Sequence, residues 1–291
     1  MQVIAHGGAG STPDDPEARR ATLVAAVRAG STAADPIAAV VETISTLECA
    51  ERFNAGIGSA VQSDGRIRTD AGVMRGSDRS VGAACGMEGV ANAVAVADRV
   101  RRSTPHVLVC GPAAVRFADS EGIETGVDLW TPETRVRWDD EGLANATEAE
   151  QLAAVRDRFG SGADTVGAVA TDGECVAAAT STGGRWLALA GRVGDVPQVG
   201  SGFYATGAGG ASTTGAGEDI ARITMAREAV RAMGTGQSAQ SAAEVALETF
   251  ERHSHGTAGI ITSTVAGGTG IAYSSDAMQT AVASHGQLRT A

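Results

Sequence analysis

Thr165 stands at the head of a small apolar run, in the stretch SGADTVGAVATDG that covers residues 161–173. A threonine hydroxyl can serve as a nucleophile, but at neutral pH it is weak and needs a base. Threonine is also common in β-strands, where its branched side chain packs well. The residues that the fold places around Thr165 must therefore decide between a reactive role and a packing role.

A hairpin predicted after Thr165 brings further hydroxyl groups close to it. The Asp172-Gly173 dipeptide joins two strand-like runs and favours a two-residue type I′ turn. In that register Thr165 lies opposite Thr180, and Thr182 is its diagonal neighbour. Side chains alternate between the two faces of a strand, so these three threonines share one face. A slip of one residue in the register would separate them.

The charge balance of the chain is acidic and unusual. Among 291 residues there are 34 acidic side chains and 23 basic ones, all of them arginine, and the formal net charge is −11. A lysine-free acidic surface resembles that of halophilic proteins, and a GC-rich genome that favours arginine codons is a second explanation. The negative charge disfavours nucleic acid and anionic membranes as partners.

The cysteines and the hydropathy pattern concern the compartment. Cys49, Cys85, Cys110 and Cys175 are irregularly spaced and form no CxxC pair, so we expect buried thiols in a reducing compartment. No run approaches the roughly 18 apolar residues that a membrane-spanning helix needs. The opening MQVIAHGGAG has neither the basic nor the apolar region of a secretory leader. Together these features predict a soluble, cytoplasmic protein.

Periodicity and turn signals divide the chain into paired helices and hairpin strands. The first helix is predicted over 16–29, with Gly30 in the C′ position. The second is predicted to begin with Asp35 as N-cap and Pro36 as its first residue. Further helices are predicted over 89–102, 112–120, 218–232 and 238–252, and further strands over 2–5, 106–110, 258–263, 269–274 and 279–284.

The segment of about 131–164 differs from the rest in composition. It is rich in charged and small polar residues, which predicts a mobile connector with a helical piece near 146–159. Around this connector, helices come in pairs and strands in hairpins. That order predicts an α+β fold of antiparallel sheets packed between helix layers, and not a doubly wound parallel sheet.

Six separated motifs resemble, in order and near-normal spacing, those of one enzyme family. They are HGGAG (6–10), FNAGIGS (53–59), DTVGAVA (164–170), AATSTGG (178–184), GRVGD (191–195) and TTGAGE (213–218). The family is that of the plant-type L-asparaginases and isoaspartyl peptidases, which are N-terminal-nucleophile hydrolases. The resemblance implies a four-layer αββα sandwich formed by one domain over 1–291, and an active form that is a homodimer of αβ units.

The resemblance also implies that the chain cuts itself between Asp164 and Thr165. The products would be an α chain, 1–164, and a β chain, 165–291. Cleavage gives Thr165 a free α-amino group, which titrates at about 7.7 to 8.0 and can act as the base for its own hydroxyl. The cut would be an N-to-O acyl shift in which the Thr165 hydroxyl attacks the Asp164 carbonyl, followed by hydrolysis of the ester.

The catalytic roles carry over residue by residue from the family's motifs. Thr165 would be the nucleophile, and the Thr182 hydroxyl would orient it. The Thr214 hydroxyl and the Gly215 backbone N–H would form the oxyanion hole, where one such donor is worth roughly 3 kcal/mol in comparable sites.

The resemblance further implies a clamp for the α-groups of a substrate. Arg192 would hold the α-carboxylate, for which a bidentate guanidinium is suited. Asp195 would hold the α-ammonium group with the Gly217 carbonyl nearby. Asn54 resembles the family's asparagine close to the nucleophile. Taken singly, the arginine and the aspartate could instead be a surface ion pair.

The implied substrates are small and carry a free α-amino group and a free α-carboxylate. L-Asparagine and β-aspartyl dipeptides are favoured over glycosylasparagine, because TSTGG differs from the TSTNG of the glycosylasparaginase branch. Asp164 departs from the glycine of the asparaginase branch, and we expect it to affect the rate of cleavage more than the mature pocket. The alternatives are a glycosylasparaginase-like hydrolase and an unprocessed, non-enzymatic ligand-binding homologue.

One implied feature is not catalytic. Backbone carbonyls in LECAERFNAGIG resemble those that wrap a sodium ion in the family, and oxygen ligands from a bent loop suit a hard cation. The candidate ligands are Leu47, Glu48, Ala50, Phe53, Ala55 and Ile57. An apolar staple formed by Phe53 and Ile57 is the alternative. No cofactor is expected for catalysis.

The glycine runs at 207–217 and 267–270 raise a rival function, the binding of a nucleotide or a sugar phosphate by a chain that is never cut. Neither run has the spacing of a P-loop or of a dinucleotide-binding fingerprint. A denaturing gel separates the two readings, because a hydrolase of this kind yields two fragments.

Overall fold

A computed structural model of the protein describes residues 1–157, 165–284 and 286–290. Its strands are β1 (Gln2–Gly10), β2 (Arg68–Arg75), β3 (Val81–Glu88), β4 (Leu108–Cys110), β5 (Val166–Thr171), β6 (Val176–Thr182), β7 (Phe203–Thr206), β8 (Gly209–Gly215), β9 (Ala258–Thr264), β10 (Thr269–Tyr273), β11 (Ala277–Ser284) and β12 (Gln287–Thr290). Its helices are α1 (Pro16–Ser31), α2 (Pro36–Glu48), α3 (Ala93–Ser103), α4 (Gly111–Ser120), α5 (Pro132–Glu141), α6 (Glu148–Asp157), α7 (Gly217–Ile223), α8 (Met225–Gly234) and α9 (Ala239–His253).

Two sheets stack face to face between helices, which confirms the predicted α+β sandwich. The first sheet has the order β12-β11-β1-β5-β6-β2-β3-β4, and the second has the order β10-β9-β8-β7. All neighbouring pairs are antiparallel except β3 and β4. Helices α1 to α4 cover the first sheet over one apolar cluster, and α7 to α9 cover the second over another.

A third apolar cluster fills the space between the sheets. Ile4, Val169 and Phe203 are buried there, together with Ile261 and Met278. Because strands from both sheets contribute alternate residues, the opposite faces remain free to contact the helices. The N-terminal end of β5, where Thr165 lies, is thus held between two layers.

Strands β5 and β6 form the predicted hairpin, but the prediction of a two-residue turn was wrong. Thr171 pairs with Val176 rather than with Glu174, so the turn spans residues 172–175. The Asp172 carboxylate accepts the backbone N–H of Glu174 at 2.9 Å and that of the next residue at 2.8 Å. These local hydrogen bonds stabilise the wider turn.

The wider turn moves the strand register by two residues. Val166 pairs with Ser181, so Thr165 lies beside Thr182, and not opposite Thr180 as predicted. A shift of two keeps every side chain on its face, because the side-chain period of a strand is two. Thr165, Thr180 and Thr182 therefore share one face, as predicted. The hydroxyls of Thr165 and Thr182 lie closer together than they would in the predicted diagonal arrangement.

Two helix boundaries differ from the predictions. Helix α1 continues through Gly30, where a Cβ would lie 2.1 Å from the Thr43 hydroxyl oxygen and 2.6 Å from the Ala39 carbonyl oxygen. The glycine is needed for the close approach of α2, and not as a helix terminator. The single helix predicted over 218–232 is interrupted by Thr224, whose left-handed backbone (φ 51°) separates α7 from α8.

The predicted connector contains a helix that composition did not reveal. Helix α5 begins at a capping box, in which the Thr131 hydroxyl accepts the Thr134 N–H at 3.1 Å and the Thr134 hydroxyl accepts the Thr131 N–H at 2.9 Å. No residue of α5 is buried, so the segment shows no apolar periodicity. The second helix, α6, confirms the piece predicted near 146–159 as far as residue 157.

The prediction of buried cysteines was wrong for three of the four. Cys49 and Cys110 are exposed, Cys175 is half-buried, and Cys85 alone is buried. The first two flank helices and the third lies in the hairpin turn, where the backbone runs at the surface. Within the described ranges, no helix is long and apolar enough to cross a bilayer.

Candidate active site

Thr165 and Thr182 form a pair at the start of β5 and the end of β6. The Thr165 hydroxyl donates to the Thr182 hydroxyl across 3.3 Å, a long contact for two hydroxyls, and both residues are buried. The Thr182 oxygen also accepts the Gly184 backbone N–H at 3.0 Å. The second threonine is thereby oriented by the main chain, and its own position restrains the first.

Asn54 braces the loop that follows β6. Its side-chain amide donates to the Gly184 carbonyl at 2.6 Å, and its side-chain oxygen accepts the Ala60 N–H at 2.8 Å. Its backbone carbonyl accepts the Gly183 N–H at 3.0 Å. Asn54 therefore holds Gly183 and Gly184 in place, and the Gly184 N–H in turn orients Thr182.

Thr214 and Gly215 close strand β8 of the second sheet. Thr214 is fully buried, and within the described residues its hydroxyl has no hydrogen-bond partner. Gly215 has a φ of 128°, and a Cβ there would lie 2.3 Å from the Thr257 carbonyl oxygen. Only glycine fits this backbone conformation beside β9. The strand thus ends with a buried hydroxyl that is available to a ligand.

Arg192, Asp195 and Gly217 meet at the start of α7. A Cβ at Gly217 would lie 2.5 Å from Asp195 Oδ1 and 2.9 Å from Arg192 Nη2, so the missing side chain makes room for both groups. Glu218 accepts the Arg192 Nε–H at 2.8 Å. The Nη2 atom of Arg192 is buried and has no partner among the described residues.

The same space adjoins the threonine pair. A Cβ built on Gly184 would lie 3.9 Å from Arg192 Nη1. The Thr213 hydroxyl, one residue before Thr214, donates to the Ser201 carbonyl at 2.9 Å and lies 3.4 Å from Asp195 Oδ2. These contacts connect Thr182 to Arg192 through Gly184, and place Thr213 of β8 beside Asp195.

Burial and charge oppose each other in the clamp. Burial raises the pKa of Asp195 to about 6, although the Arg192 guanidinium acts in the opposite direction. Burial lowers the pKa of the Arg192 guanidinium, but the negative charges of Glu218, Asp195 and Asp70 have the larger combined effect. The pKa of Arg192 is therefore raised. The pKa of Glu218 is lowered in spite of burial, because Arg192 and Arg185 lie nearby.

Two of these charged residues were not predicted. Glu218 belongs to the quoted TTGAGE motif, but its hydrogen bond to Arg192 depends on how α7 meets the loop after β6. Arg185 is buried and lies 3.7 Å from Glu218 across an ion pair. A buried position for an arginine directly after TSTGG has no sequence signal, because arginine is normally exposed.

A chain of buried polar side chains lies next to β5. His6 Nε2 is 2.9 Å from the Ser212 hydroxyl, which is 2.8 Å from the Thr180 hydroxyl. Burial lowers the pKa of His6 to about 3, opposed by a contact with the Thr165 backbone, so the ring is neutral. A Cβ at Gly167 would lie 2.2 Å from His6 Nε2, so the missing side chain leaves room for the His6 ring.

The candidate sodium ligands lie in the last turn of α2 and the loop after it: Leu47, Glu48, Ala50, Phe53, Ala55 and Ile57. The carbonyls of Leu47, Glu48 and Ala50 each accept one backbone N–H, which leaves each a second lone pair. Gly56 (φ 58°) bends the loop so that a Cβ would lie 2.2 Å from the Glu48 carbonyl oxygen. Phe53 is buried in the core, as the staple reading expects. No cluster of three or more His, Cys, Asp or Glu side chains occurs in the described part of the chain.

An open cleft of about 650 Å³ adjoins Asn54. It is lined by Gly8 and Gly10 of the HGGAG stretch, by Arg19 and by Trp186. Of the predicted catalytic and substrate-binding residues, Asn54 alone lines this cleft. Asp164 and the bond before Thr165 fall outside the described residues.

Comparison with known proteins agrees with the motifs. The family model described as Asparaginase matches residues 1–291. The chain is similar to the plant-type L-asparaginase of Pyrococcus abyssi, with 38% identity over 267 residues, which covers 87% of this chain and 86% of the relative. It is also similar to the isoaspartyl peptidase/L-asparaginase of Bos taurus, with 35% identity over 298 residues and coverage of 99% and 94%. The plant-type L-asparaginase of Pyrobaculum calidifontis is 36% identical over 297 residues, covering 99% and 98%.

Proposed function

The chain belongs to the asparaginase family, and on that premise we propose that Thr165 is the nucleophile of an autoprocessing amidohydrolase. The enzyme hydrolyses the side-chain amide of L-asparagine and the isopeptide bond of β-aspartyl dipeptides. Cleavage between Asp164 and Thr165 converts the single domain, 1–291, into an α chain and a β chain. The new α-amino group of Thr165 then supplies the base that its hydroxyl needs.

In the proposed reaction each residue has one role. The Thr165 oxygen attacks the substrate β-carbonyl carbon and gives its proton to the α-amino group, while the Thr182 hydroxyl orients the nucleophile. The Thr214 hydroxyl and the Gly215 N–H stabilise the tetrahedral oxyanion. The amine leaves with the proton, and a β-aspartyl ester remains on Thr165. Water attacks this ester, so that L-aspartate is released and the hydroxyl is restored.

The observation that carries this proposal is a pair of buried groups without partners. The Thr214 hydroxyl and Arg192 Nη2 are both buried and unsatisfied within the described residues. An unpaired buried donor costs about 1–3 kcal/mol, so natural proteins keep few of them. A ligand with a developing oxyanion and an α-carboxylate satisfies both at once.

The clamp supports small α-amino acid substrates. Arg192 binds the α-carboxylate through its unpaired nitrogen, and Asp195 with the Gly217 carbonyl binds the α-ammonium group. Asn54 holds the loop that carries Gly184 and borders the open cleft. The cleft has room for the leaving group of a β-aspartyl dipeptide, and Asn54 is the one proposed substrate-binding residue that lines it.

Mass spectrometry of the purified protein and a substrate panel test the proposal. We expect two fragments that meet at the 164/165 bond, ammonia from L-asparagine, and leucine from β-aspartyl-leucine. Thr165→Ala should abolish both cleavage and turnover. A single intact chain in the wild type, or full activity in the Thr165→Ala protein, would contradict the proposal. Preferential turnover of glycosylasparagine would favour the glycosylasparaginase-like alternative.

The assembly is proposed to be a homodimer of αβ units. Support comes from the family resemblance and from an apolar edge of the first sheet, where Val107 and Leu108 are 47% and 46% exposed. Sedimentation velocity at micromolar protein should give a single species of twice the chain mass, and a monomer would overturn the assignment. A cytoplasmic location is proposed from the free cysteines, and thiol labelling of the protein in unbroken cells tests it.

Sodium is proposed to occupy the loop after α2, held by the carbonyls of the six candidate residues. The bent backbone at Gly56 and the second lone pairs of the carbonyls support this. Replacing sodium by choline at equal ionic strength should lower the thermal unfolding midpoint. An unchanged midpoint would favour the apolar staple.

A further inference from the structure

The loop 187–192, which ends at the clamp arginine, lies alongside the segment 61–63. The Leu187 N–H donates to the Val61 carbonyl at 2.8 Å, and the Ser63 N–H donates to the carbonyl of the next loop residue at 2.8 Å. These main-chain hydrogen bonds hold the first part of the loop. The last part, which carries the clamp arginine, is held by a side chain from the same segment.

That side chain is Gln62, which is 3% exposed and bonds two successive residues of the loop. Its Oε1 accepts the Gly191 N–H at 2.8 Å, and its Nε2 donates to the Arg192 carbonyl at 3.2 Å. The Arg192 N–H donates to the Leu189 carbonyl at 2.8 Å. The N–H and the carbonyl of Arg192 are therefore both held, the second of them by Gln62.

Arg68 fixes the orientation of the Gln62 amide. Its Nη1 donates to Gln62 Oε1 at 2.5 Å, so this oxygen accepts both the guanidinium and the Gly191 N–H. A flipped amide would place its NH2 group against two donors, which excludes that orientation. Arg68 is in turn held by ion pairs with Asp64 at 2.8 Å and Glu88 at 3.0 Å. The amide donor is therefore directed at the loop.

The Arg192 side chain is held at its other end as well. Its Nε donates to Glu218 at 2.8 Å. A Cβ at Gly194 would lie 2.6 Å from Arg192 Nη1, so the guanidinium packs against the backbone of its own loop. Because the main chain is held by Gln62 and Nε by Glu218, the direction of the unpaired Nη2 depends on both contacts.

We propose that Gln62 is a positioning residue for the substrate α-carboxylate: it holds the main chain of Arg192 so that Nη2 is directed into the site before the substrate binds. An arginine that is ordered beforehand loses less conformational entropy when it pairs with a carboxylate. Gln62 acts through Arg192 and takes no part in the chemistry. The inference rests on the proposed function, since it assumes that Arg192 binds an α-carboxylate.

Gln62→Met tests the proposal, because methionine has a similar length and removes both hydrogen bonds to the loop. Steady-state ammonia release from L-asparagine gives KM and kcat. We expect KM to rise about tenfold, the effect of one or two lost hydrogen bonds, with kcat little changed. This pattern is that of a lost interaction which the ground state and the transition state share equally.

A ligand without the α-carboxylate separates positioning from a general structural role. L-Asparaginamide carries a neutral carboxamide in place of the α-carboxylate and keeps the α-ammonium group. Competition against L-asparagine gives its inhibition constant, whether or not it is turned over. In the Gln62→Met protein we expect this constant to equal that of the wild type, because a misplaced guanidinium weakens the binding of a carboxylate far more than that of an amide.

A second variant, Gln62→Glu, tests the bond to Arg192 by itself. Glutamate keeps an oxygen acceptor for the Gly191 N–H, but it places a second oxygen against the Arg192 carbonyl and loses the donor. We expect KM for L-asparagine to rise in this variant too. If Gln62→Met does not fold, Gln62→Glu is judged by the same measurements.

Gln240→Met is the matched control. Gln240 lies on α9, and its side-chain amide likewise bonds the main chain: Nε2 donates to the Ile271 carbonyl at 3.0 Å, and Oε1 accepts the Ile271 N–H at 3.0 Å. The substitution removes the same two kinds of hydrogen bond from β10, which carries no clamp residue. KM for L-asparagine and the inhibition constant of L-asparaginamide should both stay at their wild-type values.

The outcomes separate the inference from the proposed function. If the wild type neither cuts itself nor hydrolyses amides, the proposed function fails. If it does both and the folded Gln62 variants keep the wild-type KM, only the role of Gln62 is refuted. An equal loss of affinity for L-asparagine and L-asparaginamide, or loss of folding in both variants, would assign Gln62 to stability instead. Variants that fold but remain one chain would place Gln62 in cleavage and would also overturn the proposal.

Discussion

Two side chains of the candidate site, Thr214 and Arg192, each bury a polar group that no described residue satisfies. Donors next to them do have partners: the Thr213 hydroxyl donates to the Ser201 carbonyl at 2.9 Å, and Arg192 Nε donates to Glu218 at 2.8 Å. The unpaired groups destabilise the empty protein and favour a ligand that pairs with them. At this scale the site is a set of hydrogen-bond donors held in place before substrate binds.

Thr214→Val should separate stability from catalysis. Valine has nearly the same shape, so it removes an unsatisfied hydroxyl, and we expect the free energy of unfolding to rise or stay unchanged. Loss of one oxyanion donor should lower kcat by about 10²–10³-fold. Chemical denaturation and ammonia release measure the two effects on the same preparation.

Thr213→Val is the matched control for this prediction. Its hydroxyl is paired, so we expect a loss of about 1 kcal/mol in the free energy of unfolding. Its effect should fall on KM, because the same hydroxyl lies 3.4 Å from Asp195. A Thr214→Val protein that is less stable than the wild type and turns over normally would refute the oxyanion role.

The sheets can approach each other because some strand positions have no side chain. Gly72 of β2 faces the second sheet, and a Cβ there would lie 2.0 Å from a ring carbon of Phe203 on β7. The Phe203 ring therefore occupies the space that a side chain at position 72 would need. This brings β7 and β8 close to the strands that carry Thr182 and Asp70. At the scale of elements, the spacing between the sheets sets the distance between Thr165 on the first sheet and Thr214 on the second.

Gly72→Ala should destabilise the protein by overpacking this contact, by about 1–3 kcal/mol. Phe203→Leu should recover part of the loss, because it removes the ring atoms that a new Cβ would meet. A double-mutant cycle from urea denaturation should therefore give a coupling free energy of at least about 0.5 kcal/mol.

Gly207→Ala serves as the control, since nothing lies within 4 Å of a Cβ at that position. Its free energy of unfolding should remain within about 0.5 kcal/mol of the wild type. Additive effects of Gly72→Ala and Phe203→Leu would show that the ring does not set the sheet spacing.

The whole molecule has a formal charge of −11 and no lysine. Most acidic side chains lie on the surface, where they repel one another, while the buried Asp70 and Asp195 and the half-buried Glu218 act on Arg192. Repulsion among exposed charges is screened by salt, with a Debye length of about 10 Å at 0.1 M and 3 Å at 1 M. The buried cluster is screened much less, so salt should affect folding more than the charge balance of the site.

The thermal unfolding midpoint should rise between 0.1 and 2 M KCl, because screening removes surface repulsion from the folded state. Circular dichroism at 222 nm measures it, and turnover of L-asparagine should follow the folded fraction. Choline chloride should act similarly if screening alone is responsible. A midpoint that is unchanged or lower in 2 M KCl would refute a halophilic surface.

Local sequence predicted the elements better than their ends. Asp35 and Pro36 begin α2 as expected, and β9 to β11 lie close to the predicted ranges, whereas β12 was not predicted. Gly30 was misassigned because the atoms that require a glycine there belong to another helix. The cap of α5 was missed because that helix buries nothing. Errors therefore arose where a contact distant in sequence, or the absence of any contact, decided the conformation.

The sequence by itself determined the family, the α+β sandwich and the shared face of Thr165 and Thr182. These depend on motif order and on a side-chain period of two, which a two-residue change of register leaves intact. Only the tertiary structure decided that Thr182 adjoins Thr165 directly and that Glu218 pairs with both Arg192 and Arg185. It also decided that Asp70 lies opposite Thr182 on the neighbouring strand. Each of these depends on strand register and on how separate elements pack, and hydrogen bonds and burial across the sheets fix both.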